Sequence, residues 1–185
     1  MSDPVWSQEF SVSSVEELQS AAASLGSRLT AGDLLILTGE LGAGKTTFAQ
    51  GLGRGLGVRE GIISPTFVLV RNHPSLTGGP ALVHVDAYRL ESDAEIDDLD
   101  LESTVDDSVT VVEWGADRVE HLAESRLVVT LVRPSTVPPS HQSGDAVVVP
   151  TAQMRENDDD DEPRHVRIAA YGPRWADAEL GALTR

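Results

Sequence analysis

The stretch Gly39-Glu40-Leu41-Gly42-Ala43-Gly44-Lys45-Thr46 constrains this chain more than any other. It fits the pattern G-x-x-x-x-G-K-[ST], a loop that cradles phosphates when it joins a strand to a helix. The context is right. Residues 33–38 are an apolar run of strand length, and residues 47–52 place Phe48 and Leu52 four apart on one helical face. With glycine at about 7% of residues, a chance match in a chain this long is on the order of one per cent.

The residue types follow from the chemistry. Glycines at 39, 42 and 44 permit backbone angles that a side chain would block. The loop N–H groups then converge on phosphate oxygens, helped by the positive end of the helix. Gly39, Glu40, Leu41, Gly42, Ala43, Gly44, Lys45, Thr46 and Thr47 are therefore candidate nucleotide contacts. Lys45 is expected at the β- and γ-phosphates, and the Thr46 hydroxyl on Mg²⁺.

Composition narrows the class. The 185 residues are enough for one domain with a sizeable core. There are no cysteines, which excludes a disulfide frame or a thiolate metal site. No apolar run reaches membrane-span length, and the first residues lack a basic leader, so a cytoplasmic protein without a membrane partner is expected. The net charge is -16. Such a chain is poorly suited to hold nucleic acid by itself, because that affinity comes from neutralising phosphates. Any RNA in its pathway should be held by a partner protein.

Along the chain, residues 9–12 look like a strand. Ser13 or Ser14 caps a helix that carries Val15, Leu18, Ala22, Leu25 and Leu29 to about Thr30. A strand at 33–38, the loop, and a helix from 45 to about 56 with Gly57 as its C-cap follow. Residues 62–70 read as strand-like with Pro65 interrupting, 72–80 as a hairpin loop and 81–86 as a strand. Ser92 starts a short helix through a capping pattern with Glu95. Residues 109–113 form a buried strand, 115–123 a helix, and 127–132 another strand. Residues 134–163, with seven acids against one base, read as an acidic, disordered insertion in which 147–149 form a brief strand. A final strand at 165–170 and a short helix or tail from Pro173 close the chain. The expected organisation is a core over 1–133, the insertion, and a C-terminal strand and tail over 164–185 that complete the same domain. The fold class is α/β: a three-layer phosphate-loop fold with a mostly parallel sheet and an antiparallel elaboration at one edge.

A phosphate loop needs an acid for the metal and a group that orients water. Glu113 ends a buried strand, where α/β ligand sites gather, and is the metal-side candidate with Thr46. Trp114 beside it either shields the nucleotide or packs. His84, Asp86, Tyr88 and Arg89 cluster past an apolar strand. Asp86 is suited to orient water or the metal's water shell, and Arg89 to meet an acid or a phosphate, while His84 is equally suited to plain packing. Thr66 in Ser64-Pro65-Thr66 is suited to sense a γ-phosphate, or else the segment is only a proline turn.

G-E-L-G-A-G-K-T-T, S-P-T-F, H-V-D-A-Y-R-L and V-V-E-W occur in that order at compact spacing, and together they resemble the TsaE (YjeE) family. The resemblance covers residues from about 10 to 132, with an echo at 164–170. It implies a Mg²⁺-dependent ATPase that supports threonylcarbamoyl transfer to the adenosine beside the tRNA anticodon, acting with a TsaB–TsaD complex that holds the tRNA. It also implies that Lys45 and Thr46 bind phosphate and Mg²⁺, that Glu113 is the Mg²⁺ acid, that Thr66 belongs to a switch and that Asp86 serves hydrolysis. Arg164 is the candidate for a nucleotide contact near the last strand. The insertion at 134–163 departs from the compact family pattern.

Two other functions compete. One is a phosphate-loop kinase for a small metabolite with Asp86 as base, although no arginine-rich lid segment is evident. The other is a nucleotide-gated binding module, which would keep its function in an Asp86→Ala variant.

Overall fold

The computed structural model describes residues 3–133 and 163–178. The chain forms β1 (Trp6–Val12), α1 (Val15–Gly26), β2 (Leu34–Thr38), α2 (Lys45–Leu56), β3 (Val70–His73), β4 (Ala81–Asp86), α3 (Asp93–Asp97), α4 (Glu102–Val105), β5 (Ser108–Glu113), β6 (Arg126–Val132) and β7 (Arg164–Tyr171). Among the described residues, one seven-stranded sheet runs in the order β1-β7-β6-β2-β5-β4-β3. Its centre, β6-β2-β5-β4, is parallel. The expected antiparallel edge is β3 on β4, and β7 makes a second one by pairing antiparallel to both β6 and β1.

Burial explains the order. Every residue of β5 is buried and so are the first four of β2, as suits central parallel strands covered on both faces. One face carries α1 and α2 over Leu35, Leu37, Val109, Val111, Leu127 and Val129. Among the described residues, the other face carries the short α3 and α4, their loops and the segment around Val119, over Ile36, Val83, Val85 and Val112. Ser14 accepts from the Glu17 N–H at the start of α1, Gly57 closes α2 with φ 69°, and Ser92 and Glu95 complete a capping box.

Several local expectations fail for physical reasons. Residues 62–65 are irregular, 66–69 turn, and strand pairing starts only at Val70. Both Val68 N–H and Leu69 N–H donate to Pro65 O, and Leu69 has φ 65°, which a strand cannot contain. The helix expected over 115–123 is instead a turn at 116–118, where the Arg118 and Val119 N–H groups both donate to Gly115 O, followed by a 3₁₀ turn at Glu120–Leu122, because Asp117 is left-handed at φ 63°. The first helix stops at Gly26, short of Thr30. Among the described residues, the short helix or tail expected from Pro173 is a 3₁₀ turn at Pro173–Trp175 that buries Trp175. The expected strand at 147–149 lies outside the described residues, as do nearly all of the insertion and the end of the tail.

The two long helices touch backbone to backbone. A Cβ on Gly55 would stand 2.2 Å from Ala23 O, and one on Gly51 2.5 Å from Gln19 O. Alanine in a helix interior gains about 1 kcal/mol over glycine, but overpacking against backbone costs about 1–3 kcal/mol. Gly55→Ala is therefore expected to lower the melting temperature by several degrees. Gly79→Ala, whose Cβ meets nothing nearer than 3.7 Å, should leave it unchanged.

Asp33, buried just before β2, accepts from Thr30 N–H at 2.8 Å and pairs with Arg174 Nε at 3.4 Å. Burial pushes its carboxyl above the ordinary carboxylate range, and Thr30 and Arg174 only partly offset that. A raised carboxyl binds its proton more tightly folded than unfolded. Its stabilising contribution is thus present at acid pH and lost as pH rises through the folded value. Asp33→Asn removes this titration. Calorimetry from about pH 3.5 to about pH 7 should show the melting difference moving in the variant's favour as pH rises.

Candidate functional site

Three elements end at one place. The phosphate loop leaves β2 and turns into α2, while Asp86 and Glu113 are the last residues of β4 and β5 and face each other in register. Alternation along β4 puts His84 and Asp86 on one face, and Glu113 shares it. That face is the α2 side, so the side chains meet the loop rather than the opposite layer.

The loop is shaped by close approach. Gly39 has φ 141°, and a Cβ there would stand 2.4 Å from Leu131 O. The Lys45 ammonium donates to Gly39 O at 2.8 Å and Glu40 O at 2.9 Å and stands 3.7 Å from the centre of the Trp114 ring. Burial pulls its pKa below the ordinary lysine value, against the opposing pull of Glu113, Asp86 and Glu40. Trp114 is held at φ 63° by its N–H to Leu37 O, and its ring packs on Tyr88 at 5.1 Å.

Each carboxylate has its own donors. Thr46 Oγ1 donates to Glu113 Oε1 at 2.9 Å, and His84 Nε2 lies 2.8 Å from the same oxygen. Asp86 Oδ1 accepts from Tyr88 N–H at 3.0 Å. Asp86 Oδ2 accepts from Ser64 Oγ at 3.0 Å and from Thr66 Oγ1. Asp86 thus pins the 64–69 turns to the end of β4, and Leu69 O accepts from Asp86 N–H at 2.9 Å.

A cavity of about 450 Å³ opens here. Of the residues expected from sequence, Leu41, Gly42, Gly44, Lys45, Thr46, Thr47, Thr66, Asp86, Glu113, Trp114 and Arg164 line it. Gly39, Glu40 and Ala43 do not. The first two present carbonyls to Lys45, and Ala43 is turned into the core. Arg89, expected at an acid or a phosphate, instead lies over the exposed Phe67 ring at 4.5 Å. Arg133 and Val15 were not anticipated. The Arg133 guanidinium lies against Gly42, and Arg164 against Gly44. The signal for Arg133 was its place just past β6, the strand paired with β2 on the loop's other side. A larger hollow of about 780 Å³ lies among α3, α4 and residues 117–122. It includes none of the phosphate loop, and its acids Asp97, Asp100, Glu102, Asp117 and Glu120 would repel a polyphosphate.

A parallel-centred sheet with this loop at the end of β2, and two acids on the neighbouring strand ends, defines a protein of the phosphate-loop α/β class. Comparison with known proteins makes it particular. Residues 12–138 match the family model described as threonylcarbamoyl adenosine biosynthesis protein TsaE, and the chain belongs to that family. It is 49% identical over 160 residues to a Streptomyces coelicolor protein called tRNA threonylcarbamoyladenosine biosynthesis protein TsaE, covering 86% of this chain and 94% of that one. A Mycobacterium tuberculosis protein of the same name is 46% identical over 128 residues, which are 65% of this chain and 76% of its own. The crystal structure of Bacillus subtilis YdiB superposes with a TM-score of 0.62 at 26% identity, covering 92% of this chain and 89% of that one.

The pinning of the 64–69 turns gives a direct test. Asp86→Ala removes the acceptor of two hydroxyls, a loss of about 1–3 kcal/mol for the segment. Hydrogen exchange should then speed at the Val68 and Leu69 amides, while β2 and β5 amides keep their protection.

Proposed function

We propose that this chain binds Mg²⁺–ATP in the cavity at the phosphate loop and hydrolyses it to ADP and phosphate, in support of threonylcarbamoyl transfer to tRNA by a TsaB–TsaD-type complex. The observation that carries this reading is the division of labour between two carboxylates one strand apart. Glu113 is bonded to the loop threonine, and Asp86 to the hydroxyls of a turn segment at the cavity wall.

The residues fit a magnesium ion. Thr46 Oγ1 and a Glu113 oxygen already meet at 2.9 Å, so two hard oxygen donors converge. That suits Mg²⁺, which takes one or two protein oxygens and completes its shell with waters and substrate phosphates. Thr46 and Glu113 would hold it, and its chemistry there is neutralisation of phosphate charge.

The chain's own groups do the rest. Lys45 exchanges the Gly39 and Glu40 carbonyls for phosphate oxygens, and its lowered pKa reflects the desolvation that strengthens such contacts. Arg133 and Arg164 add positive charge on the loop's outer side. Asp86 becomes available to orient water when Thr66 turns its hydroxyl or N–H to the γ-phosphate, which links hydrolysis to the 64–69 turns. With a net charge of -16, the chain is suited to a partner that carries the tRNA itself.

The test is steady-state ATP hydrolysis by the purified chain with Mg²⁺, alone and with the TsaB–TsaD pair. Slow turnover alone, faster turnover with the pair, and a loss of about a hundredfold or more in Lys45→Ala are expected. Turnover indifferent to the pair would contradict the partnership. Phosphate passed to an added metabolite rather than to water would point to a kinase.

A further inference from the structure

Glu113 is held from two sides. One of its oxygens accepts from Thr46 at 2.9 Å, and His84 Nε2 lies 2.8 Å from the same atom. The imidazole is fully buried and Glu113 is only 3% exposed. His84 is opposite Val111, and Asp86 opposite Glu113, so His84 is the diagonal cross-strand neighbour of the carboxylate. An ionised carboxylate only accepts, so Nε2 must carry the proton. His84 Nδ1 and His73 Nε2 are both buried with no hydrogen-bond partner among the described residues, and the two rings lie 6.4 Å apart. An aliphatic side chain at 84 would fill the space and avoid burying an unpaired nitrogen. Plain packing therefore does not account for a histidine here, whereas the bond to Glu113 does.

We propose that His84 is a positioning residue for the metal-binding pair: its Nε2–H fixes the Glu113 carboxylate against Thr46, so that both present their oxygens to Mg²⁺ together. This rests on the Mg²⁺–nucleotide reading of the site. His84 touches neither nucleotide nor metal and acts only through Glu113. The free carboxylate would otherwise rotate among several positions, and the metal would have to select one.

The test measures ADP affinity by titration calorimetry, in EDTA and at increasing Mg²⁺, for the full chain and three variants. His84→Ala should raise the Mg²⁺ concentration needed for half of the metal-dependent gain by about tenfold or more, as when the donor behind a metal ligand is lost. Affinity in EDTA should stay within about twofold of wild type, because no phosphate contact has changed. His84→Gln, whose amide N–H reaches close to the Nε2 position, should restore most of the Mg²⁺ response. His84→Asn, whose amide stops nearer the backbone, should not. The Gln and Asn variants decide the matter even where Ala fails to fold. Equal Mg²⁺ responses in wild type and all variants would overturn the role of His84 alone, as would equal rescue by Gln and Asn. A wild-type chain that binds ADP with no Mg²⁺ response would overturn the metal reading itself, and this proposal with it.

Discussion

The parallel pairing of β5 between β2 and β4 is the constraint on which the site depends. It brings Glu113 beside the loop that leaves β2, and opposite Asp86 at the end of β4. A slip of one residue would turn Glu113 toward the opposite layer of the sheet. The register is held by burial: Val109 and Val111 lie beneath α2, and Val112 faces the other core. The chemistry at the strand ends is thus set by apolar residues that never touch it.

Around that arrangement the charges are few and opposed. One buried ammonium, Lys45, faces two buried carboxylates, and two arginines stand outside the loop. Neither acid relies on the lysine for a hydrogen bond: Glu113 is served by Thr46 and His84, Asp86 by Ser64, Thr66 and Tyr88 N–H. Lys45 spends its donors on loop carbonyls instead. This separation lets the ammonium leave the loop carbonyls without unpairing a buried acid, whose desolvation would otherwise oppose the change.

Much of this was legible in the sequence, for stated reasons. The phosphate loop, the caps at Ser14, Gly57 and Ser92, and the strand-end acids Asp86 and Glu113 are local signals, read from residue type and spacing. What was not legible depends on distant parts of the chain. Arg133 reaches the loop only because β6 pairs with β2. His84 looked like packing until Glu113 was placed across from it, since their link spans 29 positions. Residues 62–70 and 115–123 misled because apolar and helix-compatible residues can sit on turns when one left-handed residue, Leu69 or Asp117, redirects the backbone. The second antiparallel edge was hidden because β7 follows a long segment and inserts between β1 and β6.

The most direct measurement is a crystal structure of the chain with Mg²⁺ and a non-hydrolysable ATP analogue. The polyphosphate should lie along residues 39–47, with Lys45 Nζ moved from the Gly39 and Glu40 carbonyls to phosphate oxygens. The metal should stand on Thr46 Oγ1 and reach Glu113 directly or through one water, with His84 still bonded to that carboxylate. A nucleotide bound elsewhere, or a metal remote from Glu113 while Lys45 keeps its loop carbonyls, would contradict the assignment of this site.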